Sequence, residues 1–161
     1  MASETQTNSV TRTVSTNWLG AAVAGLLATL AFGGFQTAMG SSGVIANALP
    51  ALYGIQGPAL AAGWGIHLVH GAIFGIVYAA FVSTEPLREY AAKLPTGAVL
   101  GIAFSVLQTI VAVGFIMPLW LQAVGFPAAP PVPNLALSSF IGHAVYGVVL
   151  GALYPVLATK F

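Results

Sequence analysis

Hydrophobic and polar positions divide the chain into four long apolar segments, separated by short polar or Gly- and Pro-rich stretches. A bilayer core about 30 Å thick is crossed by roughly 20 helical residues at about 1.5 Å each. Each apolar segment has that length, so the pattern predicts four membrane-spanning helices, at about residues 18–39, 58–82, 96–119 and 134–157. The expected fold class is all-α, a polytopic membrane protein whose four helices form two like-oriented helical hairpins.

The connecting stretches differ in character. Residues 40–57 are broken by Gly and Pro and are too short to span, so we expect a loop at the interface. Pro58 suits the first turn of the following helix. Residues 125–133 are proline-rich and favour an extended connection. The polar tail 1–17 lacks the apolar run of a signal peptide and is expected to be disordered, with Ser15, Thr16 or Asn17 capping the first helix.

Composition narrows the class of protein. Of the 161 residues, 58% are hydrophobic and 4% are charged, which leaves too little polar surface for a soluble domain. Residues 18–161 are therefore predicted to form a single transmembrane domain. The absence of cysteine excludes disulfides and thiolate metal sites within this chain. A net charge of +1, with four scattered basic residues, gives no footprint for nucleic acid.

Charge also predicts the orientation. On the four-span topology, every charged residue falls on the side shared by the two termini and the middle loop: Glu4, Arg12, Glu85, Arg88, Glu89, Lys93 and Lys160. Lys and Arg near span ends mark the cytoplasmic side. We therefore expect a multi-pass protein of the cell (plasma) membrane with cytoplasmic N- and C-termini.

The chain resembles itself at a shift of 76 positions. This shift aligns His67 with His143, Gly71 with Gly147, Gly75 with Gly151, Tyr78 with Tyr154 and Gly25 with Gly101. The pattern predicts an internal duplication with halves 18–82 and 94–158. Since each half holds two spans, the halves would share one orientation, and equivalent residues would lie at one depth.

The repeated frame forms a stripe on each even-numbered helix. At about 100° per residue, offsets of 4, 8 and 11 fall within roughly 80° of one another. One interpretation is close helix packing over small residues. The other is a groove for a flat ligand, whose contact residues would be His67, His143, Gly71, Gly75, Gly147, Gly151, Tyr78 and Tyr154.

Two interpretations also exist for the histidines. His67 and His143 are each expected roughly 14 Å deep, about nine residues into their helices, and facing each other. They are either held by hydrogen bonds to polar side chains on spans one and three or part of a functional site, as intramembrane ionisable groups often are. The candidate partners are Thr29, Gln36, Ser105, Gln108 and Thr109.

Three chemistries fit an uncharged intramembrane site. A b-type haem would use His67 and His143 as axial ligands on facing helices. A metal ion would use His67, His70 and His143, with Met39 and Met117 as additional thioether ligands for Cu(I). A conduit for a small solute or ion is the third, although the spans lack Asp and Glu. Motifs for catalysis are absent from the sequence, so an enzyme is not expected.

The frame His-x3-Gly-x3-Gly-x2-Tyr, in a four-span chain of this length, resembles small prokaryotic four-helix membrane proteins catalogued only as domains of unknown function. This resemblance implies architecture and little chemistry. The sequence thus predicts a non-catalytic accessory subunit or ligand-binding component of the membrane. Expected partners are the lipid bilayer, other membrane subunits or a second copy of the chain, with no nucleic acid.

Overall fold

The structure, a computed structural model, describes residues 17–160. We number its helices α1 to α6; α2 is a π-helical turn, Val44–Ala48, that runs into one α-helical turn, Leu49–Ala51. The other helices are α1 (Trp18–Ala38), α3 (Leu60–Phe81), α4 (Leu87–Ala91), α5 (Leu94–Ala123) and α6 (Leu137–Leu157). Of these, α1, α3, α5 and α6 are long and apolar enough to cross a membrane, with 21, 22, 30 and 21 residues. The all-α multi-pass fold is therefore confirmed.

The first helix starts where the sequence predicts. The Asn17 side chain accepts a hydrogen bond from the Gly20 N–H at 2.9 Å, so it caps α1 as expected. The rest of the predicted tail, with Glu4, Arg12, Ser15 and Thr16, lies outside the described residues.

The prediction of a plain loop over residues 40–57 was wrong, because α2 forms there and packs inward. Ile45, Ala48, Leu49 and Leu52 are buried against side chains that include Trp64 and Leu121. These four positions have the i, i+3, i+4, i+7 spacing of a helix face, which flanking Gly and Pro residues obscure. As a result α2 closes one end of the bundle. We call this the uncharged end.

Two prolines leave carbonyl groups free to bind the segments that lead into α3 and α6. Pro50 and Pro118 have no N–H to donate to the carbonyl four residues earlier. The carbonyl oxygen of Ala46 instead accepts the N–H of Ala59 at 2.8 Å, and that of Gly114 accepts the N–H of Asn134 at 2.9 Å. These bonds fix the chain just before α3 and α6. Pro58 itself precedes α3 rather than lying in its first turn.

The segment that precedes Pro118, Thr109–Ile116, is π-helical, which widens the helix at Gly114, whose carbonyl group the proline ring would otherwise crowd. The helix therefore continues through the proline instead of ending near it. This is why α5 reaches Ala123, beyond the predicted end of the third span.

Glycine determines how closely each hairpin packs. A Cβ atom built on Gly25 would overlap the carbonyl oxygen of Gly71 and lie 2.9 Å from the Gly75 Cα. A Cβ on Gly101 would overlap the carbonyl oxygen of Gly147, 76 positions further on from Gly71, and lie 2.9 Å from the Gly151 N. Equivalent positions therefore make equivalent backbone contacts in the α1–α3 and α5–α6 hairpins.

The two hairpins meet through α1 and α6, whereas α3 and α5, within the described residues, do not pack closely along their length. At the α1–α6 contact the Phe32 ring fills the space beside Gly142, where a Cβ would come within 2.6 Å of it. At the positions shifted by 76, the smaller Gln108 replaces Phe32 and the larger Ile66 replaces Gly142. This difference explains why one contact is tight and the other is open. We call the open side the α3–α5 gap.

The end opposite α2 carries the charges of the described chain. Glu85, Arg88, Glu89 and Lys93 lie on or beside α4, and Lys160 follows α6. Arg88 approaches Glu85 at 3.6 Å and also donates to the carbonyl oxygen of Ser83. We call this the charged end. The membrane-spanning helices between the two ends hold no Asp, Glu or Arg.

Candidate functional site

An interior cavity of about 600 Å³ lies beside the α3–α5 gap in the half of the bundle nearest the uncharged end. All four spanning helices and α2 contribute to its wall. Aromatic and aliphatic side chains form most of the lining, with Leu49, Leu52 and Tyr53 of α2 and the turn after it at the outer end. The α2 segment that the sequence prediction missed is therefore what closes the cavity.

Three polar side chains that face the cavity each have a buried atom without a hydrogen-bond partner. They are Gln36 on α1, His67 on α3 and Gln108 on α5. In the described part of the chain, Gln36 Oε1, His67 Nε2 and Gln108 Oε1 are the buried side-chain atoms that lack a hydrogen-bond partner. Leaving such an atom unpaired costs about 1–3 kcal/mol. All three costs fall on one cavity, which is the pattern expected where a ligand supplies the missing partners.

Both predicted histidines line this cavity. The His143 Nδ1 lies 2.8 Å from the carbonyl oxygen of Ser139, so Nδ1 carries the proton and donates it to that oxygen. This leaves the His143 Nε2 free of that bond. The Phe32 ring contacts both imidazoles, with centroid distances of 5.4 Å to His67 and 4.6 Å to His143. The two histidines are thus brought to one site, with Phe32 touching each.

The hydrogen-bond partners predicted for the histidines were wrong. Thr29, Ser105 and Thr109 donate to carbonyl oxygens of their own helices, at 2.9, 2.8 and 2.7 Å. Hydroxyl groups in a helix have a backbone acceptor one turn earlier, so no cross-helix partner is needed. The remaining candidates, Gln36 and Gln108, have the unpaired oxygens just described.

His70 has a different environment from the other two histidines. Its Nε2 lies 2.6 Å from the Tyr53 hydroxyl, and the Tyr53 ring also lies 5.6 Å from Trp120. Tyr53 therefore joins α3 to α5 across the gap at the uncharged end. Among the described residues, no three His, Asp or Glu side chains form a group suited to a metal ion. The three-histidine metal site is not formed, because His70 is turned toward Tyr53.

The glycine stripes serve the hairpins more than the cavity. Gly71 lines the cavity, but Gly75, Gly147 and Gly151 are buried against the partner helix of their own hairpin. The predicted groove of glycine backbone for a flat ligand is therefore wrong for these three positions. They face a helix of the same hairpin at backbone contact distance, with no room for a ligand between.

The two predicted tyrosines lie outside the cavity, toward the charged end. Tyr78 and Tyr154 meet at 5.4 Å with their rings at 89°, and both are buried. The Tyr78 hydroxyl donates to the carbonyl oxygen of Gly97 at 3.3 Å. Together with Phe104, they fill the centre of the bundle next to the cavity. Their predicted role as ligand contacts was wrong, because they pack against each other and Phe104 and do not line the cavity.

Sequence reasoning missed three contributors to the site: Phe32, Tyr53 and Tyr146. The Tyr146 hydroxyl donates to the carbonyl oxygen of Gly71 at 3.0 Å and so connects α6 to α3. Tyr146 occupies the position that His70 has in the first half. The signal available in the sequence was this departure from the repeat, together with the replacement of Phe32 by Gln108.

Comparison with family models, with curated proteins and with solved structures finds no match for the chain. The resemblance to four-helix membrane families of unknown function therefore stays a prediction.

Proposed function

We propose that this protein is a non-catalytic membrane component that binds a small uncharged molecule in the cavity beside the α3–α5 gap. The observation that carries the proposal is the convergence of three unpaired buried atoms, on Gln36, His67 and Gln108, at one cavity. A volume of about 600 Å³ lies within the range of roughly 300–1,000 Å³ typical of small-molecule sites. The described residues that line the cavity include no Asp, Glu, Lys or Arg, which favours a ligand without formal charge.

A bis-histidine haem is the second candidate. It is favoured by the presence of His67 and His143 in one cavity and by the anchoring of His143 through Nδ1, which leaves Nε2 for a metal. The position of Phe32 argues against haem, because its ring contacts both imidazoles and occupies space that a macrocycle held between them would need. The geometry therefore favours an organic ligand over haem.

A conduit has less support. Tyr78, Phe104 and Tyr154 are buried and pack together between the cavity and the charged end. A solute path across the membrane would require this cluster to separate. A cavity that is closed toward one end is better suited to binding.

The charged end is proposed to face the cytoplasm, which places both termini there. Arg88, Lys93 and Lys160 all lie at that end of the described chain, in agreement with the positive-inside rule.

The equivalent glycine contacts of the two hairpins also support our proposal that the chain arose by duplication. The difference between Phe32 and Gln108 would then have opened one side.

Association with other membrane subunits or with a second copy belongs to the proposal as well. The glycine stripes do not favour such association, because their members pack the hairpins within the chain: Gly71, Gly75, Gly147 and Gly151. A partner would have to contact other surfaces.

Chemical analysis of the bound material tests this function. Wild-type protein and an Ala112→Phe variant, whose new ring fills the cavity from α5, are purified from membranes and extracted with organic solvent for mass spectrometry. Ala103→Phe, an exposed position on the same helix, is the matched control. We expect an uncharged compound, equimolar with wild type and with Ala103→Phe, that Ala112→Phe loses. Equal amounts in all three samples, or no such compound in any, would contradict the proposal.

An absorption spectrum of the same preparations separates the two candidates. A Soret band that disappears in His67→Ala or His143→Ala supports haem. Colourless wild-type protein rejects haem and leaves the organic ligand.

A further inference from the structure

We infer that the ligand is a ring compound of the quinone class, dissolved in the membrane and admitted through the α3–α5 gap. This inference rests on the proposed function, because it names the kind of molecule that the cavity would hold. It combines two features of the site, the positions of the unpaired polar atoms and the opening toward lipid.

The unpaired atoms lie on two opposing walls. Gln36 and His67 belong to the α1–α3 hairpin, whereas Gln108 belongs to the α5–α6 hairpin on the other side of the gap. A ligand that satisfies both walls needs a polar atom at each of two edges. A quinone ring has an oxygen at each of two opposite edges.

The chemistry of these side chains suits oxygens that change their hydrogen-bonding role. An amide offers both an N–H donor and a carbonyl acceptor, and a neutral imidazole offers one of each. The oxygens of a quinone accept hydrogen bonds, whereas the hydroxyls of the reduced form also donate. The unpaired amide oxygens of Gln36 and Gln108 can accept hydrogen bonds from the hydroxyls of the reduced form, whereas the oxygens of the oxidised form need a donor, which either amide offers when it rotates to present its N–H.

Aromatic side chains supply faces for a planar ring. Phe32, Phe74, Trp120 and Tyr146 all line the cavity, each from a different helix. Offset stacking or edge-to-face contact with such rings is favourable for a flat ligand. A flexible acyl chain would gain no comparable advantage from them.

The α3–α5 gap gives the cavity a side toward lipid. Ile73 on α3 and Ile116 on α5 both line the cavity, and they are 50% and 51% exposed. The gap is bridged at the uncharged end by Tyr53, between His70 and Trp120, and nearer the charged end by the contact of Tyr78 with Phe104. A molecule dissolved in the bilayer can enter between these two bridges without crossing water.

Tryptophan fluorescence provides the test, because Trp120 lines the cavity and Trp64 lies 6.1 Å from His67. The probe is menadione, a naphthoquinone that quenches tryptophan emission, titrated into purified protein in detergent. The matched competitor is 2-methylnaphthalene, which has the same fused rings and methyl group without the two oxygens. We expect saturable quenching that Ala112→Phe abolishes, and we expect 2-methylnaphthalene to reverse it only at concentrations at least about tenfold above that of menadione.

Gln108→Leu tests the hydrogen bond that the side-chain N–H of Gln108 would donate to a menadione oxygen. It should weaken menadione binding roughly tenfold, the effect of one hydrogen bond to the ligand. Gln122→Leu is the control, since Gln122 lies on the same helix and donates to the carbonyl oxygen of Pro130 outside the cavity. We expect Gln122→Leu to bind menadione with the affinity of the wild-type protein.

The outcomes distinguish this inference from the proposed function. Equal binding of menadione and 2-methylnaphthalene, with no effect of Gln108→Leu, overturns the quinone assignment but leaves a cavity that binds uncharged molecules. No saturable quenching and no displacement, together with no co-purified compound, overturn both. Binding that Gln122→Leu weakens as much as Gln108→Leu also overturns the assignment, because the cavity would then not be where the ligand binds.

Discussion

Replacing Gly25 by alanine tests the close approach of the first hairpin most sharply. The new Cβ would overlap the carbonyl oxygen of Gly71 and lie 2.9 Å from both the Cα and the N of Gly75, whereas carbon contacts normally lie at about 3.5–4.0 Å. All three atoms belong to backbone, so no side chain can rotate away. The helices must separate by roughly half an ångström or more, and overpacking of this kind typically costs about 1–3 kcal/mol.

Gly34 gives the matched control on the same helix. A Cβ at Gly34 meets nothing within 4 Å, so Gly34→Ala carries only the gain in helix propensity, up to about 1 kcal/mol. Because Gly25→Ala gains the same helix propensity, the two variants should differ by the overpacking cost, about 1–3 kcal/mol in the free energy of unfolding, a factor of roughly 5 to 150 in the equilibrium constant. Gly101→Ala should behave like Gly25→Ala, because it overlaps Gly147 in the second hairpin.

The assay is reversible unfolding in mixed micelles with increasing sodium dodecyl sulfate, followed by tryptophan fluorescence. We expect the midpoint of Gly25→Ala well below that of wild type and the midpoint of Gly34→Ala at or above it. If Gly25→Ala proved as stable as Gly34→Ala, the helices would not approach as described, and glycine spacing would not set the geometry of the hairpin.

Three further predictions concern polar side chains and orientation. Gln108→Leu should raise the stability of ligand-free protein by about 1 kcal/mol, since it removes an unpaired buried oxygen, whereas Gln122→Leu should leave stability unchanged in the same unfolding assay. Tyr146→Phe should lower the free energy of unfolding by about 0.6 kcal/mol through loss of its interhelical hydrogen bond; an unchanged midpoint would show that this bond contributes nothing. In cells, a Thr84→Cys variant of this cysteine-free chain should resist a membrane-impermeant maleimide until the membrane is opened, while Gly43→Cys should react at once; the reverse pattern would invert the proposed topology.

The spanning helices could be predicted because the bilayer imposes a simple requirement. Backbone polar groups must be paired within each span, so length and hydropathy alone identify α1, α3, α5 and α6. The glycine contacts could also be anticipated, since Gly71 and Gly75 recur at a helical spacing that brings them to one face. Both are local properties of the sequence.

The cavity could not be predicted, because it depends on which helix pairs separate. The shift of 76 positions suggests two equal contacts between the halves, yet Phe32 beside Gly142 makes one tight, while Gln108 and Ile66 stand at the corresponding positions of the other. Such a difference acts through packing across helices that are distant in sequence. The burial of α2 was hidden for a related reason, since a short apolar face such as Ile45 to Leu52 shows its role only when the open end it covers is known.

The histidines were predicted in part: two of the three lie where the sequence places them, and the third does not. His67 and His143, which the shift of 76 positions aligns, both line the cavity, while His70 is turned toward Tyr53, a residue of a segment expected to be a plain loop. Depth in the membrane can be estimated by counting residues along a helix. Counting residues does not reveal a contact between a helix and a connecting segment, such as that of His70 with Tyr53.

The most direct test of a ligand-binding cavity is an experimental structure of the protein purified from its own membrane, without added ligand. We expect density for a non-protein molecule in the cavity, within hydrogen-bond distance of Gln108 on one wall and of Gln36 or His67 on the other. A bundle in which α3 and α5 close the gap, with those three side chains paired to one another and no space between them, would contradict it.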